Sequence, residues 1–159
     1  MEIRNDSRTA GNHATESRLD FYKSGPEAMK ALMGLEGRVA RSGLEKSLVE
    51  LVRLRASQVN GCAYCVDLHS RDARKAGEDE RRLATLPVWR ETPFFSDRER
   101  AALEWTEALT LVAQDHVPDA VWQQVKPYFT PEEIVDLSLL VSAINVWNRF
   151  AIAFRKTPA

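Results

Sequence analysis

The chain has 159 residues, 44% of them hydrophobic and 28% charged, which suits one globular domain that needs neither disulfide nor metal to fold. Its 22 Lys and Arg stand against 23 Asp and Glu. The resulting net charge of −1 lacks the basic footprint of a polyanion binder and argues against nucleic acid as a partner. Only two cysteines occur, Cys62 and Cys65.

Met1 to Arg18 is polar, with Asn5, Asp6, Ser7 and Arg8 where a secretory signal would be apolar. Residues 1–17 hold too few large apolar side chains to order themselves and are expected to form a flexible tail, leaving 18–159 as the domain. Pro26 fits the first turn of a helix that carries Met29, Leu32, Met33 and Leu35. Gly43 breaks the pattern. A second helix reads from about Leu44 to Gln58, with Leu44, Leu48, Leu51 and Val52 on one stripe and Val49 and Leu54 adding cover elsewhere. Asn60-Gly61 signals a turn, and a third helix follows from near Cys62 to Lys75–Gly77, where the glycine caps it. Arg71 to Arg82 is charge-rich and reads as a solvated face.

Two later starts carry capping boxes, Ser96-Asp97-Arg98-Glu99 and Thr130-Pro131-Glu132-Glu133. The first opens a helix bearing Ala102, Leu103, Trp105, Leu109 and Val112. A shorter helix runs from Pro118 to about Val125. The second box opens the longest helix, Pro131 to about Lys156, which is apolar nearly all round and belongs at the centre of a bundle or in a subunit interface. Its stretch Ile134–Phe154 is interrupted by Asp136, Asn145, Asn148 and Arg149, so no membrane span is predicted. Asn145, Asn148 and Arg149 suit a buried hydrogen-bonded set or an interface contact, and Trp105, Trp122 and Trp147 suit the core or an interface. The expected fold is an all-α bundle of about six to seven helices. The chain reads as cytoplasmic, a compartment where a lone CxxC points to redox or metal chemistry rather than structural bridging.

Chemistry concentrates in Glu50, Cys62-Ala63-Tyr64-Cys65 and His69. On a helix, positions 62, 65 and 69 share a face, and the imidazole of His69 can take a proton from the Cys65 thiol. Cys62 at the helix start gains from the dipole and free amides, which favour a thiolate. A thiolate beside a second thiol can be oxidised to a sulfenic acid and resolved to a disulfide. The turn at Asn60-Gly61 folds the preceding helix back and carries Glu50 towards the thiols, where burial is expected to raise its pKa and suit it to proton transfer. His13 and His116 have no such company.

Glu50, eleven intervening residues, Cys62-x-x-Cys65, three residues and His69 resemble the signature of the AhpD-like alkylhydroperoxidases of the carboxymuconolactone decarboxylase superfamily. The resemblance extends over about Leu19 to Phe154, through Leu51–Asn60, Asp67–Gly77 and Ala143-Ile-Asn-Val-Trp-Asn-Arg149. It implies an all-helical subunit assembled as a homotrimer or homohexamer, with the cysteines near subunit contacts. It further implies a hydroperoxide substrate and a dithiol reductant, which is protein-bound dihydrolipoamide in the well-studied members. No cofactor or metal enters that cycle. By position, Cys65 matches the attacking thiolate, Cys62 the resolving thiol, and His69 and Glu50 the proton relay. Electrostatics at the helix start instead favour Cys62 as the more acidic thiol. Tyr64 stands where lipoamide-linked members often have His, and a phenol cannot serve as a base at neutral pH. Three other readings fit the same residues: a redox sensor or scaffold whose disulfide switches assembly, a zinc protein using Cys62, Cys65, His69 and Glu50, and a lactone decarboxylase, although the decarboxylase branch does not use a CxxC pair.

Overall fold

The computed structural model describes residues 16–158, so His13 and most of the tail expected over 1–17 lie outside the described residues. Asp20 caps α1 (Phe21–Ser24), and Pro26 opens α2 (Pro26–Val39). α3 (Lys46–Asn60) ends at Gly61, whose φ of 67° is the left-handed conformation that glycine adopts without steric cost. α4 (Ala63–Lys75) starts two residues later, and Gly77, with φ 91°, follows its end as expected. Then come α5 (Glu80–Thr85), a 3₁₀ turn (Leu86–Glu91), α6 (Asp97–Thr110), α7 (Val112–Asp115), α8 (Asp119–Val125) and α9 (Pro131–Ala153). Both expected capping boxes form, with Ser96–Glu99 and Thr130–Glu133 bonded reciprocally.

The fold is all-α among the described residues, with nine helices of which α1 and α7 are single four-residue turns. Such turns, like the six-residue α5, are too short to carry an apolar period, so their sequences gave no sign of them. Two placements differ from expectation. Leu111 leaves helical geometry (ψ 26°), so Val112 begins α7 and is exposed instead of extending the α6 stripe. Arg82, within the charge-rich run, is no solvated residue: it is partly buried, bonds Glu78 and Glu99 at 2.6 Å each, and lies over the Phe95 ring.

The main core is made by α3, α6 and α9 around Val52, Ala102, Leu137 and Leu140, all at 0% exposure. A second cluster joins Leu51 and Leu54 of α3 to Leu86, Trp89 and Leu103. α9 is the described helix long and apolar enough to cross a membrane by length and composition, yet it packs against α2, α3, α4 and α6 and 56% of its most apolar window is buried. The bundle therefore covers just over half of that window, while Val135 and Ile152 remain exposed.

Polar groups fix the register between α3 and α9. Asn60 donates to Asn145 at 3.0 Å and to Asn148 at 2.8 Å. Asn148, fully buried, donates to Ser57 at 3.0 Å, and Asn145 donates to Thr110 at 3.1 Å. Arg149 reaches back to the Asn145 carbonyl at 2.8 Å. Asn145 and Asn148 form the buried hydrogen-bonded set that the sequence suggested, whereas Arg149 is exposed at its edge, and each buried group left unpaired would cost about 1–3 kcal/mol.

Candidate active site

Tight antiparallel packing of α3 and α4 places the start of α4 beside α9. Cys62 is the N-cap of α4, and its sulfur accepts the backbone N–H of Cys65 at 3.4 Å. The two cysteines are joined as a disulfide, with Cα atoms 5.4 Å apart, and pack under Ala151 of α9 and Tyr64. Both are buried, at 2% and 3% exposure. One turn further along α4, His69 meets Glu50 of α3, Nδ1 to Oε2, at 2.9 Å.

A carboxylate only accepts, so Nδ1 of His69 carries the proton in this bond and Nε2 is the ring nitrogen left to accept one. Glu50 also accepts from Arg53 at 2.9 Å, Arg53 donates to Glu36 at 2.6 Å, and Glu36 accepts the Trp147 indole N–H at 2.9 Å. This chain links α4, α3, α2 and α9. Burial works to raise the Glu50 pKa, but the His69 hydrogen bond and the charges of His69 and Arg53 outweigh it and hold the carboxyl below its usual range. The expected rise is thus corrected: Glu50 is partly buried with two partners, remains ionised near neutral pH, and orients the imidazole.

Cys65 and His69 line one cavity of about 270 Å³, walled by Phe21, Tyr22, Tyr64 and Trp147, while Cys62 lies outside its lining. Of the four residues singled out in sequence, the structure pairs Cys62 with Cys65 and Glu50 with His69. Glu36, Arg53, Trp147, Phe21 and Tyr22 were missed. Only Arg53 offered a local signal, as a cation three residues after Glu50 on the same helix. Among the described residues, the group brought within ligating range of one another is Glu50, His69 and Asp72, whose ligand atoms lie within 4.8 Å. Two of these already have cationic partners, Glu50 in Arg53 and Asp72 in Lys75, and the cysteines are not in the group. The four-ligand zinc arrangement is not assembled.

Residues 26–108 match the Carboxymuconolactone decarboxylase family, which covers just over half of the chain. The chain belongs to this family. Within it, the protein is an AhpD-like member. The Bacillus subtilis (strain 168) protein YdfG, itself uncharacterized, is 43% identical over 136 residues, spanning 86% of this chain and 92% of YdfG. The crystal structure of ATU0492 from Agrobacterium tumefaciens, a protein of unknown function, superposes with a TM-score of 0.88 at 42% identity, over 91% of this chain and 99% of that one. Alkyl hydroperoxide reductase AhpD of Bradyrhizobium diazoefficiens is 38% identical over 47 residues, 30% of this chain and 26% of that protein.

Glu50 gives the site a signature in stability. A carboxyl whose folded pKa is depressed contributes stability above its unfolded pKa of about 4.3 and loses that contribution as pH falls through the folded value. Glu50→Gln should therefore cost about 1–2 kcal/mol at pH 7, and the gap to wild type should narrow as pH falls below about 4. Denaturant unfolding of both proteins across that range measures it; a gap that stays constant would mean the charge of Glu50 contributes nothing.

Proposed function

We propose that the protein is a thiol-dependent peroxidase acting in antioxidant defence, with Cys65 as the attacking thiolate. The observation that carries this reading is that Cys65 shares a cavity with His69, whose Nδ1 is held by an ionised Glu50. In the reduced protein, His69 Nε2 takes the Cys65 thiol proton. The thiolate attacks the terminal oxygen of a hydroperoxide, the O–O bond breaks, and the alkoxide takes the proton from His69 and leaves as alcohol. Cys65 is now a sulfenic acid. Cys62 attacks its sulfur, the S–O bond breaks, water leaves, and the disulfide forms.

Reduction reverses the roles. One thiolate of a dithiol attacks Cys65, and Cys62 leaves as a thiolate. Its position as N-cap of α4, with the Cys65 amide directed at its sulfur, suits it to leave, since an acidic thiol departs faster. The second thiol of the reductant then displaces Cys65 and closes its own disulfide. The two sequence arguments thereby fit one cycle: pairing with His69 favours Cys65 for attack, and helix-start electrostatics favour Cys62 for resolving and leaving. The family also supports a homotrimer or homohexamer, a lipoylated protein as reductant and a cytoplasmic location as parts of the same reading.

The test uses the two thiols as the readout. Reduced protein treated with cumene hydroperoxide should lose both thiols and release one cumyl alcohol per disulfide. One of the dihydrolipoamide, thioredoxin or glutathione systems should then restore them. Persistence of both thiols in excess hydroperoxide would overturn the proposal.

A further inference from the structure

The cavity over Cys65 carries a cation that no protein carboxylate neutralises among the described residues. Lys156, just beyond α9, holds its ammonium 4.5 Å from the Tyr64 ring centroid, 4.6 Å from Tyr22 and 5.4 Å from Phe21. All four residues line the cavity that Cys65 and His69 line. The other charged groups there are already paired: Arg53 with Glu36 and Glu50, His69 with Glu50, and Asp72 with Lys75. Aromatic faces attract an ammonium but leave its charge available to an anion. An anionic group arriving at Lys156 gains an ion pair without breaking one.

Charge and shape also set the direction. Exposure falls from 46% at Tyr22 to 3% at Cys65, so the rim at Tyr22 is open and the sulfur is deep. Glu36, Glu50 and Arg53 leave one net negative charge behind His69, which repels an anion from the deep end. A volume of about 270 Å³ with Phe21, Tyr22, Tyr64 and Trp147 in its wall suits one aromatic ring with short substituents.

Resting on the peroxidase reading, we propose that Lys156 selects hydroperoxides that carry a carboxylate on a compact aromatic skeleton. The carboxylate pairs with Lys156 at the rim while the neutral hydroperoxide points at Cys65 and His69. Lys156 determines specificity and takes no part in the bond changes.

The oxidation half-reaction tests this without involving any reductant. Reduced protein is mixed with 4-(2-hydroperoxypropan-2-yl)benzoate or with its uncharged methyl ester, and thiol loss is followed by stopped flow. The carboxylate should react about fivefold faster at low ionic strength, and about 0.5 M salt should shrink that ratio towards one, as for any half-exposed ion pair. Lys156→Gln should abolish the preference and Lys156→Arg should keep it. The salt series uses the wild-type protein, so it stands even if a variant folds poorly. Equal rates for the two compounds, or a preference untouched by salt and by K156Q, overturn the role of Lys156 and leave the peroxidase reading intact. Failure of both compounds to oxidise the thiols overturns both.

Discussion

Cys65→Ser should reduce turnover of an organic hydroperoxide by about a thousandfold or more, because it removes the group that accepts the peroxide oxygen. Cys62→Ser should behave differently. Cys65 still faces the cavity in that variant, so the first chemical step proceeds and the enzyme stops after one equivalent of alcohol, holding a sulfenic acid that dimedone labels. Steady-state turnover is lost in both, while the burst of one equivalent survives only in C62S. A burst in C65S and none in C62S would exchange the roles of the two sulfurs. The helix-start position of Cys62 makes that the alternative outcome, because the Cys65 amide directed at its sulfur would also favour a thiolate there.

The second large effect belongs to His69. With Nδ1 committed to Glu50, the ring has one basic nitrogen left, and the thiol on the same helix face is its nearest chemical use. An unassisted thiol with a pKa of about 8.5 is only about 3% ionised at pH 7. His69→Gln should accordingly slow alkylation of Cys65 in the reduced C62S protein by up to about thirtyfold at pH 7. The difference should close above about pH 9, where hydroxide ionises the thiol unaided. Iodoacetamide rates measured across that range decide the matter; parallel profiles for the two proteins would remove His69 as the base.

Most of the framework was legible because it is local. Ser96–Glu99 and Thr130–Glu133 announce helix starts within four residues, and Gly61 marks the reversal that sets α4 against α3. The register of Cys62, Cys65 and His69 follows from helical spacing alone. The walls of the cavity were not legible. Trp147 finds Glu36 across 111 positions of sequence, and Phe21, Tyr22 and Lys156 meet Tyr64 only once α1 and the end of α9 are packed together. Met33 shows the same limit: the sequence places it only on a helix, whereas it is 57% exposed and borders the cavity. Glu50 failed in a more instructive way. Burial was inferred correctly, but its sign on the pKa depended on Arg53 and His69, whose combined pull exceeds the desolvation that burial brings.

The cavity is closed by segments far apart in the chain, with Cys65 near the middle of the sequence and Trp147 and Lys156 well after it. During synthesis the thiols therefore emerge from the ribosome roughly eighty residues before the wall that will enclose them, a delay of about 4–16 seconds at ordinary translation rates. Over that interval Cys65 has neither Trp147 nor Ala151 above it and meets the cell's oxidants and thiols unscreened. The enclosure of this cysteine is a property that the chain acquires late.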